Sequence, residues 1–262
     1  MTVFQSMILG IIQGLTEFLP VSSSAHLNIF PWLFGWDNIP ENFDIALHFG
    51  TLLALCIYFF KDWISLIFSG YKNAFKKEKS IEGKIFWYIV IATIPTGFLS
   101  IVLDKISERF LSGMLPIAIA LIVMGILLYF VDKKMEGKKS LEDMKLKHGV
   151  LIGISQALAA AFPGVSRSGI TITTARAFKF DRTSAAKYSF LLSAPIILAA
   201  VLVKVTDFVF NLPFIIGLLT SFISGILVIK FLMKYLEKGS YKVFAIYRIV
   251  LGLFILISIF FK

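Results

Sequence analysis

Apolar residues run along this chain in stretches of 16 to 22, separated by short polar segments. Six stretches are close to the ~20 residues that a transmembrane helix needs: 45–60, 85–103, 114–131, 188–203, 212–233 and 243–261. Two further regions are apolar but broken. The first runs from Val3 to Leu19 through Gly10, Gln13, Gly14 and Glu17, stops at Pro20, and resumes at 25–34 after three serines. The second runs over 149–162, stops at Pro163 and resumes at 170–178. Each predicts a re-entrant helical hairpin, because non-helical backbone at membrane depth is tolerated only where protein or water surrounds it. Strand alternation is absent, which argues against a β-barrel.

The two broken regions match. Gly10, Gln13, Leu15 and Pro20 correspond to Gly153, Gln156, Leu158 and Pro163 at an offset of 143 residues, which becomes 144 after Gly164. The expected fold is an all-α polytopic membrane protein with an inverted-topology repeat. Each unit is one re-entrant hairpin plus three transmembrane helices. Three crossings are an odd number, so the second unit is inverted, as in many transporters. Repeat one covers about 1–132 and repeat two about 149–262, joined by a basic loop at 133–148. The 262 residues form a single membrane domain.

Composition supports this class. Mean hydropathy is +0.85, 58% of residues are hydrophobic and 16% are charged, against about 25% charged in a soluble domain. The net charge of +10 reads as lysine-rich cytoplasmic loops rather than as a nucleic-acid surface. Those loops are 61–84, 132–147 and 234–242, with the basic segment 176–187. The segment 31–44 carries Asp37, Glu41 and Asp44 and no lysine or arginine, so it belongs outside, as does 204–211. The turn at 104–113 is balanced in charge. Both termini then lie outside. The first charged residue is Glu17, so no basic leader precedes the first apolar run. Cys56 is the single cysteine and reads as a packing residue.

Chemistry concentrates where the hairpins turn. The second tip reads Pro163-Gly164-Val165-Ser166-Arg167-Ser168-Gly169-Ile170-Thr171. An arginine at bilayer depth costs about 2.5–3.5 kcal/mol on insertion scales, so it needs a partner or a ligand. Each tip puts serines before a short helix. Helix N-termini offer free amides and partial positive charge, so two that meet at mid-depth make an anion site. Arg167 adds a planar fork suited to phosphate. Glu17 shares a helix face with Gln13, and beside phosphate it implies a divalent-metal ligand or a general base or acid. Ser22, Ser23 and Ser24 are candidate nucleophiles, and His26 reads equally as a group placed to tune or deprotonate Ser23 or as a satisfied polar residue. The plainer readings are a structural Glu17–Arg167 ion pair and serines acting only as caps or packing, the latter favoured for Ser24. His48 reads as structural, His148 as a solvated residue of a cytoplasmic loop, and Arg248 as a residue snorkelling to the cytoplasmic surface.

At these residues the chain resembles the undecaprenyl-diphosphate phosphatase family of the bacitracin-resistance type. One motif is carried by Gln13, Glu17, Pro20, Ser22, Ser23 and His26. The other is carried by Pro163, Gly164, Ser166, Arg167, Ser168 and Gly169. The resemblance implies removal of the terminal phosphate from a C55 polyprenyl diphosphate at the outer side of the bacterial plasma (inner) membrane. It also implies a divalent cation (Mg or Ca) bound at Glu17. Glu17, Ser23 and Arg167 would be the essential residues, with His26 assisting. The diphosphate is expected at Gln13, Ser22, Gly164 and Ser166, and at Arg167, Ser168 and Thr171. Position 13 is glutamine where some members carry glutamate, which leaves Glu17 as the main carboxylate. The expected partners are the polyprenyl diphosphate and membrane lipids, not nucleic acid, with a homodimer as one option for assembly. The rival reading is a transporter or flippase for an anionic lipid. A cation channel is disfavoured by the central arginine.

Overall fold

The computed structural model describes residues 1–110 and 113–261, with the side chains of 104–110 left aside. All regular elements among the described residues are helical. The first broken region gives α1 (Val3–Phe18) and α2 (Ser23–Phe34). Then come α3 (Glu41–Tyr58), α4 (Phe60–Phe75), α5 (Ile81–Phe110) and α6 (Met114–Lys134). The second broken region gives α7 (Leu146–Gln156), α8 (Leu158–Ala161) and α9 (Arg167–Ala177). The chain closes with α10 (Arg182–Lys204), α11 (Leu212–Leu236) and α12 (Lys242–Phe261). Among the described residues five helices are long and apolar enough to cross a membrane, and the α3–α4 pair passes the same test only when taken together, across a 75° bend.

The broken helices seat deep in the bundle because their glycines let backbones approach. A Cβ on Gly14 would lie 2.6 Å from the Ser221 carbonyl oxygen and 2.7 Å from the Gly225 nitrogen. Such small-residue contacts are how helices pack closely in lipid. So α1 lies on α11, while α7 lies on α5, where Gly153 meets Ala92 and Thr96. Each broken helix thus packs on the middle span of the opposite half. The core beneath the first tip is aromatic: Phe18 meets Phe190 edge-on at 5.4 Å between ring centroids, and Phe59 meets the same ring at 6.3 Å.

The segments between helices gather at two ends. At one end, Asn42 donates to the Asp207 carbonyl and Lys204 pairs with Glu41. At the other, buried Asp132 accepts from Arg176, Arg182 and the Tyr241 amide. Lys139 also pairs its backbone there with Lys179 and Asp181. The segments read as outside and those read as cytoplasmic therefore fall at separate ends.

Several expectations change. The 61–84 loop is mostly the helix α4. Its residues Phe60, Ile64, Ile67, Phe68, Tyr71 and Phe75 form one exposed apolar stripe. That is the pattern of an amphipathic helix lying along a membrane surface, with lysines beside the stripe. The 104–113 turn is shorter than expected, because α5 runs on to Phe110; residues 111 and 112 lie outside the described residues. His148 is not solvated. It is buried in the first turn of α7, with its ring 5.0 Å from that of Phe178 and 5.3 Å from that of Phe180. Arg248 does not snorkel: it is fully buried at the hairpin tips.

Candidate active site

The two tips are built alike. Ser22 caps α2 and its hydroxyl accepts from the Ala25 amide; Ser166 caps α9 and accepts from the Gly169 amide. Both serines sit at positive φ, 76° and 71°, which side-chain-bearing residues rarely adopt. Such strain costs about 1–3 kcal/mol and persists only where the surroundings enforce it. Here the turn must reverse the chain and aim a helix N-terminus inward. Gly164, at φ 98°, lets the second tip press against the Ile117 carbonyl.

The tips touch through named groups. The Ser168 hydroxyl donates to the Glu17 carbonyl at 3.0 Å and reaches the Leu19 carbonyl at 3.3 Å. Thr171 lies behind, bonded to the Arg167 carbonyl and to Ser189. Arg248 clamps both tips at once. Its guanidinium donates to Pro20 O at 3.0 Å, Gly164 O at 2.8 Å and Val165 O at 2.9 Å. Its partners are carbonyls, so the charge serves to gather dipoles rather than to pair with a carboxylate.

In front of the contact sits Glu17, 7% exposed, at the end of α1. Its Oε1 accepts from Arg167 Nη2. Its Oε2 accepts from the Ser23 hydroxyl at 2.7 Å and from the Gln13 amide at 3.1 Å. The Nε2 of His48 lies 3.6 Å from the same oxygen. All of these but Gln13 border a cavity of about 400 Å³, whose wall includes Glu17, Ser23, Ser24, His48, Ser166 and Arg167. Ile196, Ile197, Ala200 and Val201 of α10 make its apolar side. A second cavity, toward the 35–41 segment, shares Ser24 and Asp44 with it.

Sequence reasoning therefore found the main cluster. Gln13, Glu17, Ser23 and Arg167 come together, and Ser166 reaches the same cavity. Ser22, Gly164, Ser168 and Thr171 shape or brace the tips. His26 stands apart from Ser23. Its Nδ1 donates to the Ser22 carbonyl at 2.7 Å, and its Nε2 takes the Tyr247 hydroxyl at 2.7 Å. A carbonyl only accepts, so Nδ1 carries the proton and the ring holds the first tip in place. Glu17, not His26, is the base within reach of Ser23. Three residues were missed. His48 was read as structural, and Tyr247 and Arg248 act through contacts with distant chain segments. An ionisable residue within an apolar run was the available signal for His48 and Arg248.

The match to known proteins is decisive at this point. The family model described as "Bacitracin resistance protein BacA" covers residues 6–254. This chain belongs to the BacA family. Among curated members, the undecaprenyl-diphosphatase of Pelotomaculum thermopropionicum is 46% identical over 260 residues, 98% of this chain and 97% of the relative. Its namesake from Caldicellulosiruptor bescii is 47% identical over 262 residues, covering 98% and 97%. That of Moorella thermoacetica is 44% identical over 255 residues, covering 96% of each. The BacA site offers hard oxygen donors, as magnesium or calcium requires. Yet no three His, Cys, Asp or Glu side chains converge among the described residues, and Glu17 is already shared by Arg167 and Ser23. One carboxylate does not make a resident metal site, so an ion there would need ligands from elsewhere.

Proposed function

We propose that this BacA family member is an integral membrane phosphatase that hydrolyses undecaprenyl diphosphate to undecaprenyl phosphate and inorganic phosphate. The observation that carries this reading is the Ser23–Glu17 hydrogen bond of 2.7 Å, with Arg167 on the same carboxylate. Binding or transport of an anion does not need a hydroxyl paired with a base, whereas phosphoryl transfer through a serine nucleophile does. The diphosphate would lie on the N-termini of α2 and α9, where first-turn amides lack intrahelical acceptors. Arg167 would take the terminal phosphate, and the tail would follow the apolar wall of α10.

In this reading Ser23 Oγ attacks the terminal phosphorus and passes its proton to Glu17 Oε2. The bond from that phosphorus to the bridging oxygen breaks, that oxygen takes the proton back from Glu17, and undecaprenyl phosphate leaves. Water then attacks the phosphoserine, Glu17 takes up a proton from it and returns it to Ser23 Oγ as the phosphorus–Oγ bond breaks, and inorganic phosphate and free Ser23 result. A divalent cation bound with the diphosphate would neutralise phosphate oxygens and ease the departure of the leaving group. His26 and Tyr247 hold the first tip, and Arg248 holds the two tips in register. The match between the tips and the crossed packing of α1 on α11 and α7 on α5 support the inverted repeat. The second cavity lies at the end carrying Asp37, Glu41 and Asp44. With the positive-inside rule, this supports a site that opens to the outer side of the plasma membrane.

The test is phosphate release from a C55 polyprenyl diphosphate by the purified full-length protein in detergent. Release that saturates with substrate is expected. Binding without release would sink the hydrolase reading in favour of lipid transport.

A further inference from the structure

Gln156 is 3% exposed, and neither atom of its amide has a hydrogen-bond partner among the described residues. It is the last residue of α7, where the helix breaks before α8. It also borders the cavity that holds Glu17, Ser23 and Arg167. Buried amides are nearly always satisfied, so one left free beside an active site needs an explanation.

The repeat explains how it became free. Gln13, its counterpart, donates to Glu17 four residues further on. At the same offset of 143, Glu17 corresponds to Ala160, which has no side-chain acceptor. The second hairpin therefore keeps the glutamine but lacks the carboxylate. In the first hairpin the amide steadies a base; in the second it is released toward the cavity.

We propose that Gln156 is a substrate-binding residue: its amide turns into the cavity and donates to an oxygen of the diphosphate. This rests on the phosphatase reading for the identity of the substrate. The amide is shut off from solvent in the free protein, so rotation about its own side-chain bonds must accompany binding. A neutral donor suits that position. It adds a hydrogen bond to a site where Arg167 supplies the charge, and it does not compete for Glu17.

The test compares wild type, Gln156→Leu and Gln156→Glu, as full-length proteins in detergent. Melting temperature is read with and without inorganic pyrophosphate, and phosphate release is read with the polyprenyl diphosphate. A leucine removes an unsatisfied amide and keeps most of the volume, so Gln156→Leu should melt no lower than wild type without ligand. It should lose most of the pyrophosphate-induced rise, and its KM should increase about tenfold with a smaller change in kcat. Gln156→Glu keeps the shape but repels the anion, so its pyrophosphate rise should vanish.

A full pyrophosphate rise in both variants would overturn the proposal. So would a Gln156→Leu protein that melts well below wild type yet keeps its KM, since that marks a structural amide. A wild type that pyrophosphate fails to stabilise also overturns it. Pyrophosphate binding that depends on Gln156, in a wild type that releases no phosphate from the lipid, would sink the phosphatase reading alone.

Discussion

Replacing Glu17 by glutamine removes one negative charge and leaves the size of the side chain unchanged. In the free protein that charge holds Arg167 through Oε1 and the Ser23 hydroxyl through Oε2. An entering diphosphate must compete with Glu17 for Arg167 and is also repelled by it. Two unit charges about 6 Å apart interact by about 3 kcal/mol at an effective dielectric of about 20. That is roughly a hundredfold in an equilibrium constant. Glu17→Gln should therefore bind inorganic pyrophosphate about ten- to a hundredfold more tightly in the absence of divalent ions. Turnover should move the other way. Ser23 loses the acceptor for its proton, and a general base contributes about two to four decades. The assay pairs calorimetric titration of pyrophosphate in chelator with steady-state phosphate release. Weaker pyrophosphate binding by the glutamine variant under those conditions would refute the competition, and show that Glu17 positions Arg167 for the ligand.

Ser23→Ala should lower phosphate release by about three decades with little change in melting temperature, whereas Ser22→Ala, which removes a helix cap, should lower the melting temperature more than the rate. A Ser23→Ala rate above about a tenth of wild type would make water the attacking group. Arg167→Lys should fail nearly as badly as Arg167→Ala in phosphate release, because a lysine keeps the charge and loses the planar fork. Arg248→Met should lower melting temperature and turnover together, since Pro20, Gly164 and Val165 carbonyls lose their donor and each unpaired buried group costs about 1–3 kcal/mol; wild-type melting would show that the clamp is dispensable. Single cysteines at Lys77 and Lys138, in a Cys56→Ala background, should label only from the cytoplasmic side, and labelling from outside intact cells would reverse the topology.

The spans and the two hairpins were legible because their signals are local. Apolar length marks a crossing, and a proline with serines marks a turn. The α4 helix was obscured by the lysines at 61, 72, 76 and 77, although its apolar residues already stood at helical spacing. His148 lay beside lysines in the chain, but folding brings Phe178 and Phe180 against it. Those rings arrive from the far side of α9, which no neighbouring residue announces. The Glu17–Ser23–Arg167 cluster was readable because chemistry requires those types to meet. The task of Arg248 was not readable, because its partners are backbone carbonyls from three distant segments and any sequence supplies carbonyls. His26 could be read either way for the same kind of reason: proximity in the chain suggested Ser23, while the fold satisfies the ring with the Ser22 carbonyl and Tyr247.

The charges at the tips follow one physical logic. Arg167 and Arg248 lie deep in the bundle, and between them the tips supply one carboxylate, Glu17, which binds only Arg167. Arg248 is stabilised by carbonyl dipoles whose negative ends point at it, so the opposite ends of those peptide groups carry partial positive charge. Two helix N-termini add to this on the cavity side. Asp44 also borders the cavity, so the two arginines face two carboxylates and the free site is close to balanced in formal charge. The cost of burying the arginines is offset by backbone carbonyls at Arg248 and by Glu17 at Arg167. Among the described residues Glu17 is the carboxylate that accepts from the Ser23 hydroxyl, and Arg167 holds it there. In the proposed mechanism the anion would relax Arg167's hold on Glu17 and leave the carboxylate free to accept the Ser23 proton.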